Sequence, residues 1–279
     1  MRDRLLRDGF VILALVFVGL RLLGVEPWVQ SVDAYAYWST RAGDLYAAAD
    51  TGRIGSYLYS PAFAQLLTPV VWLPWQAFVA LWTALLLAVY RGLVGGRWAL
   101  PLLLLLPIPF EIVSGNVHLL YAAVIVAGFR YPALWALPLL TKVTPGVGLF
   151  WFAVRREWRA LAIAIGLTAA IVAVSWVLAP ADWTGWLEVL RRDANAAIVT
   201  TGPYLPVPLL VRLPLAAGLV AWGGLTDRRW TVPVGVTLAL PVVWLNSLAV
   251  LVALVPLLAA ERRGVDLAFA RPAVPHGVG

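Results

Sequence analysis

Arginines close one apolar run after another along this chain, and that alternation limits what it can fold into. Apolar stretches occupy residues 9–24, 75–90, 98–112, 117–129, 131–141, 144–154, 159–178, 205–222, 231–244 and 247–260. Arginine-bearing turns sit among them at Arg91 and Arg97, Arg130, Arg155, Arg156 and Arg159, Arg228 and Arg229, then Arg262, Arg263 and Arg271. Hydrophobic residues make up 62% of the chain and charged ones 13%, more apolar side chain than a water-soluble core of this length can hide. The expected fold class is all-α, a polytopic transmembrane helical protein of about 10 membrane segments (roughly 8–10), some of them short broken helices, with a long first loop on the outer face. Residues 1–263 are expected to form one membrane domain, and residues 264–279 a short disordered cytoplasmic tail rich in proline and glycine.

Placing Arg2, Arg4 and Arg7 with those turns puts two thirds of the basic side chains on one side. The positive-inside rule then sets both termini in the cytoplasm of a multi-pass plasma-membrane protein. Acidic residues lean the other way, with Glu26, Asp33, Asp44, Asp50, Glu111, Asp182, Glu188 and Asp193 outside. The apolar run from Phe10 to Leu20 has the flanks of a signal peptide. No small-residue cleavage site follows before Glu26, so an uncleaved first span is expected. Cysteine is absent, which excludes disulfides, thiolate metal sites and thiol nucleophiles. With only His118 and His276, a histidine metal cage is not expected either, and neither a metal nor a cofactor is anticipated. The net charge of +7 follows the membrane's cytoplasmic face, so the expected partner is the lipid bilayer and not nucleic acid.

One cation breaks the pattern. Lys142 is the only lysine, and it lies inside Leu139-Leu140-Thr141-Lys142-Val143-Thr144-Pro145-Gly146, between two apolar runs. A cation at bilayer depth costs about 2.5–3.5 kcal/mol on the gentler insertion scale, so it normally faces a polar cavity or a partner. The alternative is a lysine snorkelling to the interface. Arg130 and Arg155 both belong on the cytoplasmic side, which makes the segment between them a hairpin with its tip at Thr141 to Pro145. Eleven helical residues rise only about 16 Å. The tip therefore stops inside the membrane, where irregular backbone survives only beside protein or a water-filled cavity.

Two outer loops are long. The first, Glu26 to Ser60, gathers Asp33, Tyr35, Tyr37, Asp44, Tyr46, Asp50, Tyr57, Tyr59 and Ser60. A carboxylate there, partly desolvated among tyrosines, suits a general base that takes a proton from an alcohol. An ordinary solvated aspartate is the plainer reading of Asp33. The second loop, Pro180 to Tyr204, places Trp183, Trp186, Leu187, Leu190 and Ala194 on one helical face, as in a helix lying in the interface. Arg191 and Arg192 on that helix can hold a phosphate or bind lipid head groups. Residues 61–74 read as a membrane-hugging helix leading into the second span. His118, near Asn116 and Glu111, can hydrogen-bond a sugar, share a proton with a carboxylate, or satisfy a local carbonyl. Glu111 either lines a cavity or snorkels out.

Several segments in this order resemble a known family. Val32-Asp33-Ala34-Tyr35, Asp44-Leu45-Tyr46, Tyr57-Leu58-Tyr59-Ser60-Pro61-Ala62-Phe63, Pro69 and Leu73-Pro74 resemble the first loop of GT-C membrane glycosyltransferases. Gly115-Asn116-Val117-His118 and Lys142-Val143-Thr144-Pro145, with Arg155-Arg156 beyond, are similar to later segments of glycosyltransferase family 87. Its members include the polyprenyl-phosphate-mannose-dependent mannosyltransferases of actinobacteria. The likeness covers about residues 26–160 and is faint after 180. It implies an inverting transfer of a sugar, mannose by analogy, from a polyprenyl-phosphate-linked donor to a glycolipid or cell-envelope glycan acceptor. The catalytic aspartate maps onto Asp33. Lys142, with Arg191 and Arg192 as further candidates, is expected at the donor phosphate. Tyr35, Tyr59, Asn116, His118 and Thr144 are the expected substrate contacts. Competing classes are a transporter or lipid flippase, which also sinks charges at mid-membrane, and a non-catalytic scaffold with the same fold.

Overall fold

The computed structural model describes residues 1–24, 31–47, 49, 55–193 and 203–265. Glu26, Trp28, Asp50, Arg53, Ala194, Arg271, His276, the Asp193 side chain and the expected tail beyond Val265 lie outside the described residues. Among the described residues the protein is all-helical, with a single isolated bridge between Tyr204 and Trp244 and no strand.

Helix α1 (Arg2–Leu22) leads to the short α2 (Val32–Trp38) in the first loop, and α3 (Pro61–Val71) precedes the long α4 (Trp75–Val94). Next come α5 (Gly96–Leu103), α6 (Pro107–Ser114) and α7 (His118–Gly128). A 3-10 turn, Pro132–Trp135, opens α8 (Ala136–Thr141), and a second one, Thr144–Leu149, opens α9 (Phe150–Val154). The chain continues through α10 (Trp158–Leu178), α11 (Pro180–Asp193), α12 (Leu209–Thr226) and α13 (Thr231–Ala239). It ends in a 3-10 segment, Leu245–Ala253, running into α14 (Leu254–Arg263).

The expected tally of about 10 spans is too high, because most apolar stretches are too short to cross about 30 Å of hydrocarbon as straight helices. Among the described residues four helices are long and apolar enough: α4, α10, α12 and the rod Leu245–Arg263. The pair α5 and α6 makes a fifth if its two arms, bent by 88°, count as one span. Pro101 and Pro107 explain that break, since proline removes a helix hydrogen bond yet sits comfortably at the first position of α6. Residues 61–71, 118–128, 132–141 and 144–154 form only short apolar helices. The segment at 61–74 packs its Ala62, Phe63, Leu67 and Val71 face into the protein, against α10 among others.

Small residues let these pieces approach closely. Gly224 backs onto Val154 of α9, Gly223 onto Thr231, and Gly235 of α13 onto Val220 of α12. Helix pairs in lipid associate through such contacts in place of a hydrophobic driving force. Trp135, wholly buried, is wedged between Gly128 and Gly148, where a side chain on either glycine would overlap its ring. That wedge fixes the hairpin 132–154 against α7, on which Leu245–Ala253 also packs.

On α11 the expected apolar stripe is redistributed. Trp183, Trp186 and Val189 face the protein, with the Trp183 indole donating to Ser175 Oγ (3.0 Å) and the Trp186 indole to the Leu58 carbonyl (3.2 Å). Leu187 and Leu190 point outward instead. A period of three residues, not the wider stripe, is what seats the helix on the first loop.

Candidate active site

Three chain segments meet at one point, and local chemistry fixes each. The start of α2 is tied to α6: the Ser31 hydroxyl donates to the Val113 carbonyl (2.9 Å), and the Arg21 guanidinium donates to both Ser31 Oγ (3.0 Å) and that carbonyl (3.1 Å). Gly115 ends α6 in the left-handed conformation (φ 74°), which glycine adopts without the penalty of a Cβ. A Cβ there would lie 2.6 Å from that of Ala34, so glycine is also what lets α2 settle on the 115–117 turn. Its carbonyl accepts the Trp82 indole N–H at 2.7 Å. Asn116, its Oδ1 taken by the Val117 amide (2.7 Å), is thereby left to hydrogen-bond the Asp33 carboxylate.

Lys142 arrives from the hairpin. Helix α8 stops at Thr141, Lys142 is extended (φ −139°, ψ 110°), and the next turn begins at Thr144. The break falls where the proline and the two hydroxyls predicted a tip. Tyr121 OH donates to Thr141 Oγ1 (2.6 Å), which itself donates to the Leu137 carbonyl (2.7 Å), pinning the end of α8 to α7. The Ser60 hydroxyl donates to the Leu140 carbonyl and joins the first loop to the same tip.

At the junction the Lys142 Nζ lies 3.2 Å from His118 Nε2 and 5.6 Å from the centroid of the Tyr59 ring, a cation–π distance. Asp33 and Lys142 are each other's foremost opposite charge. Asp33 keeps an opening to solvent but is otherwise walled by protein. Burial pushes its carboxyl above the usual carboxylate range, while the Lys142 ammonium and the Asn116 hydrogen bond pull against that rise. Below this pair lies a fully buried polar cluster. Glu111 accepts from the His118 amide (2.6 Å), from His118 Nδ1 (2.9 Å) and from Asn246 Nδ2 (3.0 Å). Asn246 also reaches Ser114 Oγ at 3.2 Å.

Of the expected site residues, Asp33, Lys142, Asn116, His118 and Tyr59 come together. Tyr35 points to the other side of α2, against Trp38 (5.9 Å between ring centroids) and Trp75 (5.8 Å). Tyr37 takes the place expected for it, with its hydroxyl donating to Tyr59 OH at 3.0 Å. The signal was present: Tyr37 is four residues beyond Asp33, on the same helical face. Thr144 Oγ1 is buried without a hydrogen-bond partner among the described residues. Arg191 and Arg192 lie exposed at the end of α11, where the Arg192 guanidinium donates to the Ala49 carbonyl in the first loop. Of the readings open for His118 and Glu111, the structure pairs the two with each other. Asn246 was missed, although Asn246-Ser247 is a polar pair at the head of an apolar run.

A carboxylate partly open to solvent, facing an ammonium with an aromatic wall, is an arrangement suited to transferring a group away from an anionic leaving group. No curated protein and no solved structure matches the chain. The family model described as glycosyltransferase family 87 matches residues 57–273, more than three quarters of the chain. The match begins after Asp33 and runs far beyond residue 180, where the likeness had been expected to fade. The chain therefore belongs to glycosyltransferase family 87, a GT-C-like family of membrane glycosyltransferases.

Proposed function

We propose that this glycosyltransferase moves a sugar, mannose by family analogy, from a polyprenyl-phosphate donor to a hydroxyl of a glycolipid or envelope-glycan acceptor, with inversion. The observation that carries this reading is the meeting of Asp33 with Lys142, a carboxylate and an ammonium from distant segments at one partly open point. Asp33 takes the proton of the acceptor hydroxyl. The freed oxygen bonds to the anomeric carbon while the bond from that carbon to the phosphate oxygen breaks. The electron pair leaves with the lipid phosphate, and the Lys142 ammonium offsets the charge that grows there. A carboxyl raised by burial suits the role, because a general base works best with its pKa nearer the working pH. One anionic phosphodiester asks for less neutralisation than a pyrophosphate, which a single ammonium can supply.

We place the site on the extracytoplasmic side, with both termini in the cytoplasm. Support comes from the far end of the bundle, where Arg155 pairs with Asp227 and Arg228 with Glu261, each at 2.9 Å. These turns gather arginines at one end, as cytoplasmic turns do. His118 sits at the other end of α7 from the Arg130 turn, about 16 Å away for eleven helical residues, and Lys142 at the other end of the segment leaving Arg155.

The direct test uses membranes holding the full chain and a polyprenyl-phosphate mannose donor. Asp33→Asn is expected to lower transfer by about 10²–10⁴-fold, the usual worth of a positioned base, with insertion unchanged. Transfer at the wild-type rate in that variant removes Asp33 as the base.

A further inference from the structure

The mechanism above leaves its most elaborate polar feature unused. Glu111, His118 and Ser247 are completely buried and Asn246 nearly so. Buried polar groups are costly unless every one is satisfied, so a connected cluster of this kind points to a task beyond packing.

The bonding pattern defines the task. Glu111 Oε1 accepts the first two amides of α7, those of His118 (2.6 Å) and Leu119 (3.4 Å), where the helix dipole also favours an anion. Glu111 Oε2 accepts His118 Nδ1–H at 2.9 Å and Asn246 Nδ2–H at 3.0 Å. With both oxygens engaged, the carboxylate has no face left for a substrate. A hydrogen on Nδ1 leaves Nε2 as the acceptor, and Nε2 is the atom that meets Lys142 Nζ at 3.2 Å, with Ser247 Oγ at 3.5 Å. Were Nε2 to carry the hydrogen instead, an N–H would face the ammonium and drive it away.

We infer that Asn246, Glu111 and His118 form a buried positioning relay that holds His118 Nε2 as a bare acceptor and so fixes the Lys142 ammonium beside Asp33. His118 is then a positioning residue acting through Lys142 and does not touch the sugar. The link from relay to catalysis rests on the proposed role of Lys142 at the donor phosphate; the link from relay to the Lys142 side chain does not.

That separation gives the test, because Lys142 is the only lysine in the chain. Purified full-length protein in nanodiscs is treated with a limiting pulse of acetic anhydride, and acetylation of Lys142 is counted by mass spectrometry. Glu111→Gln presents an N–H to His118 Nδ1, which reverses the ring, and His118→Leu removes the acceptor altogether. Both are expected to raise the Lys142 acetylation rate at least about fivefold, whereas His118→Gln, which can offer a carbonyl oxygen to the ammonium, keeps it within about twofold of wild type, as rescue by a like acceptor requires. Equal rates in wild type, Glu111→Gln and His118→Leu overturn the relay, as do equal rates in His118→Gln and His118→Leu. If Glu111→Gln fails to insert, because Glu111 also caps α7, the two His118 variants decide the matter.

Kinetics then address the second link. Glu111→Gln is expected to lower kcat/KM for the donor about 10–100-fold, the size of effect seen when a supporting hydrogen-bond partner is lost. If labelling rises but kcat/KM for the donor stays at the wild-type value, the relay stands and the phosphate role of Lys142 falls.

Discussion

Lys142 and Arg212 are both cations set among apolar residues, and they are partnered in opposite ways. The Arg212 guanidinium is buried and donates to four backbone carbonyls: Val207 (2.6 Å), Leu238, Leu240 (2.8 Å) and Pro241 (2.9 Å). Three of those carbonyls lie at the end of α13, where helix geometry leaves them without partners. Arginine's rigid fork suits such a cap, and the side chain is saturated by the fold itself. The Lys142 ammonium has three donors and among the described residues engages one, on His118 Nε2. Its remaining capacity faces the Tyr59 ring and the Asp33 side of the site. A saturated buried cation is part of the scaffold, while one left with spare donors at a partly open point is available to a substrate.

The contrast is broken or sharpened by substitution. Arg212→Met carries the largest expected effect, because each orphaned buried carbonyl costs about 1–3 kcal/mol before relaxation. The folded, monodisperse fraction in detergent should collapse, as read by size exclusion after a thermal ramp; a Tm equal to wild type would put Arg212 outside the scaffold. Lys142→Met should do the reverse, leaving Tm unchanged or higher while kcat/KM for the donor drops about 10²-fold, the cost of losing one group that stabilises developing charge. A paired loss of stability would erase the distinction between the two cations.

Gly115→Ala comes next. An L-residue in the left-handed region costs about 1–2 kcal/mol. The clash with Ala34 adds a backbone shift that moves Asp33 off Asn116, so kcat is expected to fall roughly tenfold with modest loss of Tm. A pH profile probes the same pair more gently. Asp33 must be ionised to act, and burial raises its carboxyl, so the acid limb of kcat/KM should lie above the ordinary aspartate value of about 3.9. In the residual activity of Lys142→Met the limb should move to still higher pH, because the ammonium that pulls the carboxyl down is gone. A limb that stays in place or moves down would show that the two groups do not act on each other. Arg192→Ala is the smallest: an exposed side chain on a loop carbonyl should change stability by no more than about 0.5 kcal/mol. Transfer should stay within a few fold of wild type, and a larger drop would bring Arg192 back to the donor phosphate.

Much of this was readable in the residues, for reasons that also mark where reading stops. The Lys142 tip was legible because Arg130 and Arg155 constrain both ends of a segment too short to span, and proline marks the break. The choice of Tyr35 over Tyr37 failed because assigning a face needs the helix phase of α2, which seven residues in a mixed loop do not reveal. The tally of spans failed for a related cause. Apolar composition says that a segment is buried but not whether lipid or neighbouring short helices bury it, and Leu119, Tyr121 and Ile125 of α7 are wholly inside the protein.

The sequence by itself determined the helical membrane class, the family, and the presence of a cation and a carboxylate that hydrocarbon does not tolerate unpartnered, because these follow from composition and local spacing. Only the tertiary structure decided who partners whom. Asn246 meets Glu111 across 135 residues, and Gly115 admits Ala34 so that Asp33 can face Lys142. Hydrogen bonds act over about 3 Å of space and are indifferent to separation along the chain, so their pattern exists only once the short helices have packed.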